Sequence, residues 1–165
     1  MESKPMKILI IEDDIADCNN FVNCIKARKD VELVGVTDSD IDALRYVKTK
    51  QPEGIVLDLE LNNSKTGNTD SFEFLSNLKK LNLTYDPIVI VTTHVNSKRT
   101  YDILHRNGVD LILYKDHPNY SCNHVLNQFI NFRKELINST GSSIEEIFED
   151  NENKISDLIN NELEL

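Results

Sequence analysis

The stretch GIVLDLEL, from Gly54 to Leu61, constrains the fold of this chain more than any other part of the sequence. The four residues before Asp58 are apolar or Gly, which is typical of a strand that helices cover on both faces. A side chain at the carboxyl end of such a strand lies in the crevice where open α/β sheets bind ligands. The sequence therefore predicts a buried parallel strand with Asp58 as a candidate functional residue at its end.

Strand and helix patterns alternate along the rest of the chain. The predicted strands are short apolar runs at 7–11, 31–36, 88–91 and 111–114, together with the stretch 54–61 that carries Asp58 at or near its end. Apolar residues recur at helical spacing between them, at Ile15, Cys18, Val22 and Ile25, at Ile41, Leu44 and Val47, at Phe72, Leu75, Leu78 and Leu81, and onward from about Ser97 and about Asn119. Five such units predict an α/β, flavodoxin-like doubly wound parallel sheet with strand order 2-1-3-4-5.

Local signals mark several helix ends. Ser39 and Asp42 form a capping pattern at the start of the second helix. Asp14 is interpreted as the N-cap of the first helix rather than as a ligand. The pair Asn107 and Gly108 predicts the end of the fourth helix.

Two segments fall outside the repeated pattern. The stretch Asn62–Ser71 is polar apart from one Gly and predicts a loop, which we interpret as a solvated insertion. The residues STGSS at 139–143 predict a linker after a first domain at 1–138. Beyond them the apolar residues again recur at helical spacing, so residues 139–165 are expected to be a helical extension. This tail would be a docking or dimer helix, or the start of an effector domain.

Composition limits the classes of function. The 165 residues are 39% hydrophobic and 28% charged, which is ordinary globular composition. The net charge of −10 argues against direct nucleic-acid binding by this chain. No apolar run is long enough to span a membrane or to act as a signal peptide. Cys18, Cys24 and Cys122 lack metal-site spacing, so we expect reduced thiols, a packing role for Cys18 and a cytoplasmic location.

Polar residues follow the predicted strands at their carboxyl ends. They are Glu12 and Asp13 after the first strand, Asp58 and Glu60 at the third, Thr92, Thr93 and His94 at the fourth, and Lys115 after the fifth. Parallel strands present their carboxyl ends at one edge of the sheet. These residues, which are far apart in sequence, are therefore expected to converge.

The charges of this set predict a metal site. Glu12, Asp13 and Asp58 would bring three negative charges together, and two such charges 4 Å apart repel by about 1 to 4 kcal/mol. Carboxylate oxygens suit a hard divalent cation such as Mg²⁺. Lys115 supplies a fixed positive charge. The acidic loop after the first strand also argues against a nucleotide-phosphate cradle, which uses Gly or hydroxyl residues there.

Four motifs carry a family resemblance. They are KILIIEDD at 7–14, IVLDLEL at 55–61, IVIVTTH at 88–94 and LYKD at 113–116. In this order and spacing they resemble the receiver domain of bacterial two-component response regulators, over roughly residues 7–137. The resemblance implies that the protein accepts a phosphoryl group from a sensor histidine kinase or a histidine phosphotransfer protein. It implies no enzymatic activity beyond its own phosphotransfer and dephosphorylation.

The resemblance also implies a role for each site residue. Asp58 would be the phosphoacceptor, with Lys115 and Thr92 binding phosphoryl oxygens. Mg²⁺ would be bound by Asp13, Asp58 and the backbone carbonyl of Glu60, with Glu12 acting through water. The lifetime of the acyl phosphate would be tuned by Thr93, His94 and Glu60. Phosphorylation would switch the face made by the fourth helix, fifth strand and fifth helix. That face would contact a partner, a second copy of the chain, or a transcriptional output domain outside it.

The sequence departs from the family pattern in two places. Ile112 stands where the family has an aromatic residue, so the usual coupling to an aromatic rotamer is not expected. Asp116 follows the lysine where many members have Pro, which disfavours a cis bond. Two alternative functions stay open. One is a phosphatase of the haloacid-dehalogenase type, which needs an Asp where Glu60 stands, and the other is an unphosphorylated docking module.

Overall fold

The computed structural model describes residues 3–61 and 71–140. In this part of the chain five strands alternate with five helices. The strands are β1 (Met6–Ile11), β2 (Val31–Thr37), β3 (Gly54–Asp58), β4 (Ile88–Thr93) and β5 (Leu111–Tyr114). The helices are α1 (Ile15–Lys26), α2 (Asp40–Lys50), α3 (Ser71–Lys80), α4 (Lys98–Arg106) and α5 (Cys122–Thr140). The predictions made for residues 62–70 and 141–165 lie outside the described residues.

The five strands form one parallel sheet in the order β2-β1-β3-β4-β5. The predicted flavodoxin-like fold class is confirmed. In the register between β3 and β4, Asp58 pairs with Thr92. All carboxyl ends of the strands meet at one edge, so the topology brings the predicted polar residues together there.

The sheet has a buried core on each face. Alternate residues of β1 point to opposite sides, with Leu9 in one cluster and Ile10 in the other. The first cluster contains residues of α2, α3 and α4, namely Ala43, Val47, Phe74, Leu75 and Leu104. The second contains residues of α1 and α5, namely Phe21, Ile25, Val125, Leu126 and Phe129. Burial on both faces explains why the strands are continuous apolar runs rather than alternating ones.

The prediction that the apolar residues of α1 and α2 form one buried face was wrong at the first turn of each helix. Ile15 and Ile41 are 78% and 68% exposed. Both residues lie at the start of a helix, at the edge of the sheet, where the neighbouring elements do not cover them. Phe21 instead takes the buried position in α1 with Ile25.

The predicted helix caps are confirmed. The side chain of Asp14 accepts a hydrogen bond from the amide of Asp17 at 2.9 Å, and that of Ser39 accepts from Asp42 at 3.3 Å. Gly108 follows α4 with φ +89°, a backbone conformation that favours glycine. Helix α5 starts three residues later than predicted and continues through 139 and 140, past the predicted boundary at 138.

The three thiols are free in the structure. Cys18 donates a hydrogen bond to the backbone carbonyl of Glu12 at 3.4 Å, so it holds the end of β1 in addition to packing. Burial raises the pKa of the Cys18 thiol to about 11 and that of Cys122 to about 12. Among the described helices, none combines the length and the apolar character that crossing a membrane requires.

Candidate functional site

An acidic cluster lies at the carboxyl edge of the sheet, where β1 and β3 end side by side. One carboxylate oxygen from each of Glu12, Asp13 and Asp58 lies within 4.8 Å of the others. Glu12 is 2% exposed and Asp58 is 3% exposed, whereas Asp13 is half-buried. The structure thus brings together the three acids that the sequence assigned to one site.

Backbone amides hold the Glu12 carboxylate from one side. Its Oε1 accepts hydrogen bonds from the amides of Asp13 at 3.1 Å and Asp14 at 3.0 Å. Its buried Oε2 has no hydrogen-bond partner in the part of the chain that the structure describes. Burial, together with the neighbouring Asp58 carboxyl, raises the pKa of Glu12 to about 9.

The turn after β3 positions Asp58. Its Oδ1 accepts a hydrogen bond from the amide of Glu60 at 3.0 Å. Burial raises the pKa of Asp58. The hydroxyl of Ser71 donates to the backbone carbonyl of Asp58 at 2.8 Å and lies 3.2 Å from that of Leu59. This contact ties the start of α3 to the end of β3.

Ser71 corrects the predicted loop Asn62–Ser71. It is the first residue of α3 and only 2% exposed, rather than a solvated loop residue. Its position in an unbroken polar run gave no periodicity that distinguished it from its neighbours.

Lys115 places one positive charge among the carboxylates. Its Nζ lies 3.3 Å from Asp58 Oδ1, 3.6 Å from Glu12 Oε2 and 3.6 Å from Asp17 Oδ2. Burial acts to lower the pKa of Lys115, but the charges of these three acids outweigh it and raise the pKa above its usual value. A hydrogen bond from its amide to the carbonyl of Thr93, at 2.7 Å, holds the backbone at the end of β5. The contact with Asp17 was not predicted, because it depends on where α1 lies relative to the residue that follows β5.

Thr92 lies on β4 directly opposite Asp58 in the register of the sheet. It is fully buried, and its hydroxyl oxygen has no hydrogen-bond partner among residues 3–61 and 71–140. A buried hydroxyl without a partner is costly and calls for an explanation. Here it supplies a free donor beside the carboxylate cluster.

Glu60 links the ends of β3 and β4. Its Oε1 accepts hydrogen bonds from the hydroxyl of Thr93 at 2.6 Å and from the amide of His94 at 2.8 Å. Burial alone would raise the pKa of Glu60, but these bonds outweigh it and hold the pKa below its usual value. The exposed His94 ring lies 3.1 Å from a carboxylate oxygen of Asp116. The three residues predicted to tune the site thus form one connected group.

We expect Thr93→Ala to lower the free energy of unfolding by about 1 to 3 kcal/mol, because it removes a hydrogen bond to a charged acceptor. It also removes the acceptor for the amide of Val95, which lies 2.9 Å from the Thr93 hydroxyl. Urea unfolding would measure the change. Thr93→Ser keeps the hydroxyl and is the matched control. Equal stability of the two variants would show that the Glu60 contact contributes nothing.

The chemistry of the cluster fits a hard divalent cation. Its ligands are carboxylate oxygens, and Glu12 Oε2 is buried without a hydrogen-bond partner among the described residues. Lys115 offsets only one of the three carboxylate charges. Glu12, Asp13 and Asp58 could therefore hold such an ion, beside a free hydroxyl and a fixed ammonium group.

Comparison with known proteins identifies one family. A family model for the response regulator receiver domain matches residues 8–126. The matched range begins in β1 and ends in α5, so it includes the whole acidic cluster, Thr92 and Lys115.

Two curated relatives share this part of the chain. A protein-glutamate methylesterase/protein-glutamine glutaminase of Nitrosomonas europaea is 30% identical over 111 residues, which cover 66% of this chain and 29% of that protein. The probable C4-dicarboxylate response regulator DctR of Bacillus subtilis is 28% identical over 117 residues, which cover 68% of this chain and 47% of that protein. The chain therefore spans less than half the length of either relative.

Solved structures show the same fold. A DNA-binding response regulator of the LuxR family from Staphylococcus aureus superposes with a TM-score of 0.62 at 24% identity. The superposition covers 76% of this chain and 96% of that one.

Proposed function

The chain belongs to the response regulator receiver domain family, and from this premise we propose that Asp58 accepts a phosphoryl group that switches the surface of the domain. The arrangement around Asp58 carries the proposal. Lys115 Nζ lies 3.3 Å from its carboxylate, and the buried Thr92 hydroxyl opposite it has no hydrogen-bond partner in the described part of the chain. A phosphoryl group on Asp58 would bring an acceptor oxygen for the Thr92 hydroxyl and further negative charge beside Lys115.

Phosphoryl transfer would exchange one bond at phosphorus for another. A carboxylate oxygen of Asp58 forms a bond to phosphorus while the bond between phosphorus and the donor breaks. A phosphohistidine donor leaves as imidazole, which takes up a proton. We infer that a sensor histidine kinase or a histidine phosphotransfer protein supplies this phosphohistidine. Lys115 then pairs with one phosphoryl oxygen, and Thr92 donates a hydrogen bond to another.

The acidic cluster is the proposed Mg²⁺ site. Asp13, Asp58 and the backbone carbonyl of Glu60 would bind the ion directly, and Glu12 would act through water. When bound, the ion neutralises charge on the transferring phosphoryl group. The three carboxylate oxygens within 4.8 Å of one another support this assignment.

We expect Mg²⁺ to stabilise the folded protein. At ten times its dissociation constant, an ion that binds only the folded state adds about 1.4 kcal/mol to the free energy of unfolding. Asp13→Asn should weaken this effect, because it removes one of the proposed charged ligands. Thermal unfolding with EDTA and across a Mg²⁺ titration would measure both.

Asp14→Asn is the matched control for the Mg²⁺ titration. Asp14 is exposed, adjacent in sequence, and acts as the N-cap of α1, a position where Asn is equally favoured. This variant should respond to Mg²⁺ as the wild type does. If Asp13→Asn also responds as the wild type does, Asp13 is not a ligand.

Two contacts are about enough to drive a switch. Hydrogen bonds to a charged group contribute about 1.5 to 3 kcal/mol each. Lys115 and Thr92 together would then bias the phosphorylated state by roughly 3 to 6 kcal/mol. Moving a two-state equilibrium from 1:99 to 99:1 takes about 5.5 kcal/mol. Because Lys115 Nζ already lies 3.3 Å from Asp58 Oδ1, the bias suffices only if its contact with the phosphoryl group is stronger than this ion pair.

The movement cannot use an aromatic rotamer at position 112. Ile112 is half-buried, packs against the core cluster on the α4 side of the sheet, and pairs with Val91 of β4. All peptide bonds of the described residues are trans, including the one between Lys115 and Asp116. We infer that a shift of Thr92 and of the loop after β4 would reach α4 directly.

The proposed output face consists of α4, β5 and α5. Contact of this face with a partner, a second copy of the chain or an effector would transmit the signal, and a transcriptional output domain outside this chain is the proposed effector. The methylesterase and response-regulator activities in the names of the relatives belong to those longer proteins. The proposal for this chain is limited to the phosphorylation switch.

The family match disfavours both alternative functions. A phosphatase of the haloacid-dehalogenase type needs a free acid at the position of Glu60, whose carboxylate instead accepts hydrogen bonds from Thr93 and His94. An unphosphorylated docking module has no use for a buried ammonium group beside Asp58.

Intact-mass spectrometry after incubation with acetyl phosphate tests the proposed function. The wild type should gain one phosphoryl group with Mg²⁺ and none with EDTA. Absence of the adduct under both conditions, together with no response to beryllofluoride, would contradict the phosphoacceptor proposal.

A further inference from the structure

Helix α4 presents a basic face to solvent. Lys98, Arg99 and Arg106 are exposed, and with Asp102 and Ile103 they line a groove of about 430 Å³, called here the α4 groove. None of the three basic side chains forms an ion pair with a described residue. The groove therefore offers unpaired positive charge around one apolar side chain.

The two basic residues in the first turn of α4 are placed against its own helix dipole. Lys98 and Arg99 lie in the first turn, where the dipole favours negative charge, and that turn contains no acidic residue. The first turns of α1, α2 and α3 all contain acidic residues, whereas that of α5, like that of α4, contains none. Lys98 and Arg99 do not help α4 to form, whereas Arg106 lies in the last turn, where the dipole favours positive charge. The two first-turn charges are better explained by an anionic group that covers this end of the helix.

The outer side of α4 is also free to accept such a group. Leu104 is the one fully buried residue of this helix. The amine of Lys79 donates to the carbonyl of Arg106 at 3.1 Å and adds a further positive charge at the end of the helix. The surface is thus basic at both ends of the helix, with the exposed Asp102 between them.

The chain itself contains a segment of matching charge. Residues 141–165 include eight of the 28 acidic residues and, at Lys154, one of the 18 basic residues. This segment therefore carries −7 of the net charge of −10 and leaves −3 on the remainder of the chain. Ile144, Ile147 and Phe148 lie among its acids at helical spacing and could pack on an apolar side chain.

We propose that residues 141–165 dock on the α4 groove of the same molecule. Acidic side chains pair with Lys98, Arg99 and Arg106, and an apolar residue of the segment covers Ile103. The segment follows directly on α5, which ends at Thr140. As a helix, 25 residues span about 37 Å, against a radius of gyration of about 14 Å for a domain of this size. The groove is therefore within reach.

The docked segment would compete with any partner for α4. Exposed ion pairs are weak individually and are screened by salt, so the contact is reversible. We infer the docking from the charges of α4 and of the segment alone, so the inference does not depend on whether Asp58 is a phosphoacceptor. The docked segment would block the α4 part of the proposed output face, and a partner that binds this face more strongly would displace the segment.

Limited trypsin digestion tests the docking, because Lys154 is the one cleavage site in residues 141–165. Release of the peptide 155–165 is followed by mass spectrometry. We expect Arg99→Glu with Arg106→Glu to release it at least about fivefold faster than the wild type at low salt. Lys48→Glu with Lys80→Glu makes the same charge change on exposed residues of α2 and α3 and should leave the rate unchanged. At about 1 M salt all three proteins should release it equally fast.

Equal rates in the wild type and the α4 variant at low salt would overturn the proposal. Protection that disappears on dilution would also overturn it, because a second copy would then supply the segment. Should the α4 variant fail to fold, amide hydrogen exchange of residues 98–106 in the wild type decides the matter. Exchange must be slower at low salt than at high salt, and equal exchange would overturn the docking.

Discussion

Asp58→Asn is expected to abolish phosphoryl transfer from acetyl phosphate, because it replaces the attacking carboxylate oxygen with a poorly nucleophilic amide. The substitution keeps the size of the side chain and can keep the acceptor for the Glu60 amide, 3.0 Å away in the wild type. Intact mass with Mg²⁺ should show one phosphoryl group on the wild type and none on the variant. Because Asp58 is also a proposed Mg²⁺ ligand, peptide mapping of the wild-type adduct to Asp58 is needed to identify the acceptor.

The control for this experiment is Asp14→Asn, which changes an exposed carboxylate two residues from Glu12. Its yield of adduct should match the wild type. If Asp58→Asn gains a phosphoryl group in the same yield as the wild type, the acceptor is another residue. Peptide mapping of that adduct would then identify it.

The fold could be predicted from the sequence because its signals are local and repeated. Each strand is a short apolar run, and runs such as Ile88–Val91 are uninterrupted because both faces of the sheet are covered. Strand order follows from short right-handed connections. The acidic cluster followed in turn, because the carboxyl ends of parallel strands must share an edge.

The contacts that orient the site could not be predicted in the same way. The hydrogen bond from Thr93 to Glu60, the ion pair between Asp17 and Lys115, and the burial of Ser71 all depend on side-chain directions and on loop paths. Periodicity indicates which face of an element is apolar, but it gives no information on side-chain directions or loop paths. The exposure of Ile15 has the same origin, because the edge of a sheet cannot be located from spacing within one helix.

Lys115→Met should destabilise the protein strongly when Mg²⁺ is absent. The side chain of Lys115 is 8% exposed and places one positive charge beside the buried carboxyls of Asp58 and Glu12. Removing one partner from a buried set of charges costs about 3 to 5 kcal/mol. Urea unfolding in EDTA would measure the loss. Lys80→Met removes an exposed lysine of α3 and should change the free energy of unfolding by less than about 0.5 kcal/mol.

The effect of Lys115→Met should depend on pH in a defined direction. The pKa of Glu12 is raised to about 9 in the folded protein, from an ordinary value of 4.5. A carboxyl with a raised pKa contributes stability that is fully present below its unfolded pKa and is lost as pH rises through its folded pKa. Without Lys115 the pKa values of Glu12 and Asp58 should rise further, since their charged forms lose a cation. The destabilisation should therefore be small near about pH 5, where the carboxyls bind protons, and largest above about pH 9, where Glu12 of the wild type loses its proton. Saturating Mg²⁺ should reduce it by supplying another cation. A loss that is equal at both pH values and insensitive to Mg²⁺ would show that Lys115 acts through packing rather than through its charge.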